Sequence, residues 1–419
     1  MNTPPFPSSV PAYNSGGMPP LPSQRPPGSV PPRVPIRMNS PGNTLLIQIF
    51  AYSTAFLFML GMGLLFLILV GVNMNLLHLL VGMILATLPV PAYITVLLLL
   101  DRLEPEPPIM MAMAFIWGAT GAVLYSVIAN DTMGAISQAI AGHGDVSNFL
   151  GLSVFAPINE EFSKAFILLV FFIWRRREYD GLLDGMIYGS FAGLGFAMSE
   201  NFLYYGRAFG SGGVQSALFL LFLRGVFCAF SHPLFTSLTG MGFAIAANSK
   251  HILIKIIAPV VGLMMAMGLH AFWNFWGTNV IAKAAQSPWV GLTSIILIMF
   301  PGAVVMLSIA GYSLWCELKV IQTHLKRDLD SGFLTEREYK AAASLFTRIA
   351  FRFSAMKTSG AAGFYHAGNL LAYATELAFH RKRMVDGTAS GNPELDRELE
   401  EGFLGGIIQA KTALGGRTT

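Results

Sequence analysis

Up to residue 315 the chain alternates between long apolar blocks and short polar breaks. A bilayer span needs about 20 mostly apolar residues. Eight blocks meet that length: 45–71, 76–100, 108–129, 149–174, 182–206, 217–246, 252–278 and 289–315. They predict an all-α fold, a polytopic membrane helix bundle of about eight transmembrane helices. Pro89 and Pro91 interrupt the second block and Pro233 the sixth. Membrane helices tolerate proline when neighbouring groups satisfy the freed backbone. Residues 1–44, rich in Pro, Ser and Gly and without apolar periodicity, read as a disordered or polyproline tail. The first apolar stretch begins near Leu45, too late for a cleavable signal peptide. Residues 316–419 are more charged. There Thr335 and Glu338 form a capping box that opens a helix, and 363–383 and 393–411 also read as helical. This last part is expected to be a small cytoplasmic helical region with a structural or interactional role.

Composition makes lipid the main solvent. The 419 residues are 53% hydrophobic and 12% charged, with a mean hydropathy of +0.56, whereas soluble domains carry roughly 25% charged residues. A net charge of +4 leaves no nucleic-acid footprint, and the two cysteines, Cys228 and Cys316, exclude a disulfide framework or a cysteine-based metal site. The basic residues alternate between sides. Arg25, Arg33, Arg37, Arg102, Arg175, Arg176, Arg177, Lys250, Lys255, Lys319, Lys326 and Arg327 fall on one side of eight spans. Of the opposite loops, 72–75 and 130–148 hold no Lys or Arg, and the other two hold only Arg207 and Lys283. By the positive-inside rule both termini are expected in the cytoplasm.

Four of the apolar blocks carry ionisable groups. The fourth contains Asn159-Glu160-Glu161-Phe162-Ser163-Lys164, the fifth Phe196-Ala197-Met198-Ser199-Glu200-Asn201, the sixth Arg224 and Ser231-His232-Pro233, and the seventh Leu269-His270-Ala271-Phe272-Trp273-Asn274. A charged side chain at the bilayer centre costs roughly 2.5–3.5 kcal/mol on insertion scales, so such groups are expected to face one another inside the bundle. Glu160 and Lys164, like His270 and Asn274, are four apart and share a helix face. Glu160 and Glu161 diverge by about 100°, so one is expected as general base and the other as a ligand or as the partner of Lys164. Counted along straight helices, the depths of Glu160, Glu200, His232 and His270 spread over roughly 14 Å. They predict one polar chamber between the outer face and the midplane. Carboxylates and two imidazoles there suit water activation: Glu160 or Glu161 as general base, Glu200 as a ligand or second carboxylate, His232 and His270 as metal ligands or electrophilic partners, Asn274 as oxyanion donor. Lys164 and Arg224 are supporting counter-ions.

At these residues the sequence resembles the PrsW family of intramembrane proteases, within a wider group that includes the CAAX-type prenyl endopeptidases. The resemblance rests on Glu160-Glu161-x-x-Lys164, Phe196-x-x-x-Glu200, the Arg224 to His232 segment and His270-x-x-x-Asn274. The loop from Asp101 to Pro107 is similar to a family signature, and the likeness covers about 50–315. The prenyl-endopeptidase pattern has Arg and His where this chain has Lys164 and Glu200, which favours the PrsW branch. The resemblance implies an intramembrane endopeptidase acting on membrane-anchored protein substrates, such as anti-sigma-factor-like regulators, in the plasma membrane of a bacterium. A metal, if used, is expected to be zinc on His232, His270 and Glu200; a metal-free Glu–His water site is equally compatible. Two other functions remain open from the residues: a proton-coupled transporter, since buried Glu and His also mark proton paths, and a non-catalytic signalling scaffold.

Overall fold

The computed structural model describes residues 42–415 apart from 104, 180, 229, 278–287, 388, 390 and 391. The expected Pro-rich tail up to residue 41, and Glu104 of the Asp101–Pro107 loop, lie outside these. The described chain is helical throughout, without strands among the described residues. Its helices are α1 (Gly42–Asn73), α2 (Leu76–Thr87), α3 (Val90–Leu100), α4 (Pro108–Trp117), α5 (Val123–Ala141), α6 (Asp145–Asn148), α7 (Ala156–Trp174), α8 (Leu182–Phe222), α9 (Ser231–Asn248), α10 (Ile252–Trp276), α11 (Pro288–His324), α12 (Lys326–Asp330), α13 (Glu336–Ala342), α14 (Leu345–Asp386) and α15 (Pro393–Ala413). Two compact units result: residues 46–314, and residues 315–419 together with the chain up to Leu45.

The protein is an integral membrane helix bundle. Among the described residues six helical runs are long and apolar enough to cross a bilayer: Phe50–Asn73, Leu76–Leu100, Pro108–Ala141, Leu182–Asn248, Ile252–Trp276 and Phe300–Asp330. Large apolar side chains stand exposed along them, among them Phe58 and Leu64 on α1 and Ile256 and Val260 on α10. The eight expected blocks map onto these runs with two differences. Blocks 182–206 and 217–246 lie in one run, bent at Gly212 and Gly213. Block 149–174 concentrates Glu160, Glu161 and Lys164 in α7, which removes it from the runs apolar enough to span by composition alone.

Three breaks differ from a straight-helix reading. The second block splits at Pro89 into α2 and α3, with Pro91 in the first turn of α3. The third block does not stop at 129. After a π-helical turn at Gly118–Ala122 it continues as α5 to Ala141, so Asn130 stands on a helix rather than in a loop. The sixth block is broken rather than kinked: a π turn at Leu223–Phe227 ends it, and α9 starts afresh at Ser231. Pro233 therefore sits in a first turn, where its missing N–H forfeits no intrahelical bond. His232 is thereby presented from the beginning of a helix.

α9 is clasped between α8 and α10. Gly185, Gly189 and Gly193 recur every fourth residue on α8. A Cβ on Gly193 would collide with the carbonyl oxygen of His232, and one on Gly240 of α9 with that of Gly185. Small residues at this spacing let membrane helices approach backbone to backbone. On its other side α9 meets α10 in the same way, at Gly242 and Gly262. A packed apolar cluster including Phe66, Val123, Phe196, Phe202 and Tyr205 closes the bundle beside it.

In the second unit the expected capping box is present: Glu338 N donates to Thr335 Oγ1 at 3.3 Å, and Thr335 N donates to Glu338 Oε2 at 2.8 Å. α14 folds back on itself at Ser359 and Gly360, where Gly360 takes φ 63°. Buried Arg381 ties three helices together: Nε donates to Glu400 at 2.8 Å, Nη1 to the His324 carbonyl at 2.9 Å, and both terminal nitrogens to Asp328. Its neighbour His380 hydrogen-bonds the Asp396 carbonyl at 2.9 Å, and burial pushes its pKa below the ordinary 6.5.

Candidate functional site

The ionisable residues of four blocks meet at one place. α7 supplies Glu160, Glu161 and Lys164, α8 supplies Glu200, α9 supplies His232 and α10 supplies His270. The depth spread expected from straight helices disappears, because α9 begins at Ser231, one residue before the imidazole.

Glu161 forms the buried base of the cluster. Its side chain is 0% exposed. Oε1 accepts from Lys164 Nζ at 2.8 Å and lies 2.9 Å from His270 Nδ1; Oε2 accepts from Thr236 at 2.9 Å. Lys164 is equally enclosed. Its Nζ reaches His232 Nδ1 at 2.9 Å and lies 3.8 Å above the Phe196 ring. A protonated lysine has only donors, so His232 Nδ1 accepts and its Nε2–H points to Glu200 Oε2, 3.0 Å away. The same Glu200 oxygen takes Arg224 Nη2 at 2.6 Å, while Arg224 Nε donates to Asn201 at 2.7 Å. Each imidazole therefore has a carboxylate at one nitrogen: Glu161 at His270 Nδ1 and Glu200 at His232 Nε2. Carboxylates in this position fix the ring orientation and tautomer of metal-binding histidines.

Glu160 is the exception in this saturated network. Oε1 accepts from Asn130 Nδ2 at 3.3 Å, and Asn159 supports Asn130 at 3.0 Å. Oε2 is buried and accepts no hydrogen bond. Its nearest nitrogen neighbours, Lys164 Nζ and His270 Nε2, both stand at 3.7 Å. An unsatisfied buried carboxylate oxygen is costly and calls for an explanation such as an ion. Glu160, His232 and His270 are all buried, and one donor atom from each lies within 4.8 Å of the others. Two imidazoles and a carboxylate are a borderline-soft donor set suited to a divalent cation. The residues thus fit a metal, with one adjustment: Lys164 must release His232 Nδ1.

This trio contains Glu160 where Glu200 was expected, because Glu200 is committed to Arg224 and His232. A cavity of about 1480 Å³ opens beside it, lined by Glu160, Glu200, Arg224, His232, His270 and Asn274, and by Asn130 and Asp131 of α5. Glu161 and Lys164 do not reach it. Asn274 lines the cavity, and its Nδ2 donates to the Leu152 carbonyl at 2.9 Å, tying α10 to the π-helical segment Phe149–Phe155. Asn130 and Thr236 escaped sequence reasoning. Asn130 read as a loop residue just past an apolar block, and a threonine inside a helix carries no distinguishing signal.

The fold and site define an integral membrane helix bundle with a buried Glu–His–His centre beside a cavity. The family described as PrsW family intramembrane metalloprotease matches residues 106–306, which include every residue of this centre. Protease PrsW of Oceanobacillus iheyensis is 34% identical over 155 residues, covering 37% of this chain and 61% of that protein. Protease PrsW of Geobacillus kaustophilus is 29% identical over 160 residues, covering 37% of this chain and 62% of its own length. The chain thus spans about three-fifths of the length of these relatives. No solved structure matches. The chain is thus similar to the PrsW family through residues 106–306, a little under half of its length.

Proposed function

We propose that the protein is an intramembrane metalloendopeptidase that hydrolyses peptide bonds of membrane-anchored proteins. The observation that carries this reading is the buried Oε2 of Glu160, which accepts no hydrogen bond, grouped with His270 and His232 beside the cavity. Glu160, His232 and His270 would hold the metal, and the donor set favours zinc. When bound, such an ion polarises a carbonyl and acidifies water.

The chain's own groups supply the rest. Glu161 holds the His270 ring through Nδ1 and Glu200 holds the His232 ring through Nε2. Of these carboxylates Glu161 is enclosed, whereas Glu200 has an 18% exposed side chain and lines the cavity. Glu200 is the carboxylate with access to take a proton from an attacking water and pass it to the leaving amine. Arg224 orients it through Nη2 at 2.6 Å. Lys164 neutralises Glu161, and it would have to give up its contact with His232 if that ring were to hold a cation through Nδ1. Asn130 aims Glu160 from α5. The cavity mouth reaches Asp131 and Arg207, which gives water a polar route into an apolar bundle.

Substrates are expected to be membrane-anchored regulators of the anti-sigma-factor kind, in a bacterial plasma membrane with both termini cytoplasmic. The last hundred residues, outside the family match, form a cytoplasmic helical region in this reading. A metal-free Glu–His site is disfavoured because the protein's own groups leave this Glu160 oxygen without a hydrogen-bond donor.

The test is cleavage of a membrane-anchored reporter by purified protein in liposomes, with Glu160→Gln, His232→Ala and His270→Ala tested singly. Each variant is expected to lose cleavage, and chelation of the wild type is expected to abolish it until zinc is restored. Undiminished cleavage by all three variants would refute the site. Proton flux in the same liposomes without any cleavage would establish a transporter instead.

A further inference from the structure

We propose that the first half of α14, Leu345–Thr358, is an interfacial anchor that lies in the surface of an anionic bilayer. The segment is amphipathic in an unusual sense, because its apolar side chains point outward. Phe346 is 86% exposed, Phe353 49%, Ile349 44% and Met356 42%. At 100° per residue these four fall within an arc of about 80°. The opposite side is already occupied. Arg348 donates to Thr375 Oγ1 at 3.0 Å and Arg337 of α13 donates to Ser354 at 2.6 Å, while Arg352, at the edge of the arc, lies 4.0 Å over the Phe364 ring. The outward face is thus what remains after the helix has packed against α13 and its own second half. A contiguous exposed apolar face of this kind marks an interaction surface.

Charge identifies the occupant. From Tyr339 to Thr375 the chain contains Lys340, Arg348, Arg352 and Lys357 and not one Asp or Glu. Lys357 and Arg352 flank the apolar arc on its two sides. Phenylalanines on one face with basic residues around them are the composition of a helix bound in the plane of an anionic membrane. Such a surface is at hand: Phe346 follows the last membrane-crossing run, Phe300–Asp330, by 16 residues. A membrane-facing side also explains why four large apolar groups stay outward on one face of a unit that buries Leu370, Leu377 and Phe403.

The inference does not depend on the proposed activity. Full-length protein with Cys228 and Cys316 replaced by Ala is labelled with a nitroxide at Phe346→Cys, Phe353→Cys or, as a water-exposed reference, Lys382→Cys. It is then placed in vesicles of phosphatidylcholine with or without phosphatidylglycerol. Labels at 346 and 353 are expected to be open to oxygen and shielded from a water-soluble nickel complex. Their depth should be about 5–10 Å into the headgroup–acyl boundary, with the reference exposed to nickel. Replacing Lys340, Arg352 and Lys357 by Gln should weaken docking about fivefold per charge in phosphatidylglycerol vesicles. Nickel access at 346 and 353 equal to that at 382 would overturn the proposal. Shielding from both oxygen and nickel would also overturn it, in favour of a protein partner, and spin–spin broadening would identify that partner as a second copy.

Discussion

Two of the places where the molecule buries charge differ in how they are closed. Around Arg381, carboxylates from α12 and α15 surround one guanidinium that offers an N–H to each of them and to a backbone carbonyl. Around Lys164, three carboxylates, two imidazoles and a second cation share a network that leaves one oxygen of Glu160 without a donor. Both sets are buried and both contain more carboxylates than cations. Burial of charge therefore does not distinguish a site from a clamp. An unfilled valence beside a cavity does.

The largest expected effect is at the cavity side. Glu200→Gln keeps size and hydrogen bonding but cannot take a proton, so reporter cleavage should fall by about 10²–10⁴-fold, with metal content retained. A loss of metal together with activity would move Glu200 into the ligand set. At the clamp, Arg381→Met leaves Asp328 and Glu400 buried without a partner, which should destabilise the C-terminal unit by about 3–5 kcal/mol. Limited proteolysis within residues 315–415 reads this out, and unchanged protease resistance would show that the clamp contributes little.

A smaller effect is expected at Asn130, whose amide only aims Glu160. Asn130→Ala should lower metal affinity or cleavage by about 10–100-fold, read as a shifted metal titration. The smallest is a pH effect in the clamp unit. His380 is buried and its pKa is depressed by desolvation below 6.5. The unfolded chain therefore takes up the proton first as pH falls, so stability is complete above about 6.5 and declines below it. His380→Asn should flatten that slope in thermal unfolding scans between pH 7 and 5.

Much of this was legible in the sequence. Glu160, Glu161, Glu200, His232 and His270 stood out because ionisable groups are costly in apolar helices, and the Thr335–Glu338 box marked the start of α13. The grouping of Glu160 with His232 and His270 was not legible. Which carboxylate is left open depends on Arg224 reaching back to Glu200 across 24 residues, and no helical spacing encodes that contact. Nor was the restart of the chain at Ser231 apparent, since Pro233 is compatible with a kink as well as with a first turn. The glycines at 185, 189 and 193 carried a periodic signal for the α8–α9 contact, but glycine alone does not say which helix approaches.

The most direct measurement is the number of divalent metal ions bound per chain in purified, cleavage-competent protein, compared with His270→Ala. One ion per wild-type chain and almost none in the variant is the expected result. Fully active wild-type protein without metal, or equal metal in both, would contradict a metal centre on Glu160, His232 and His270.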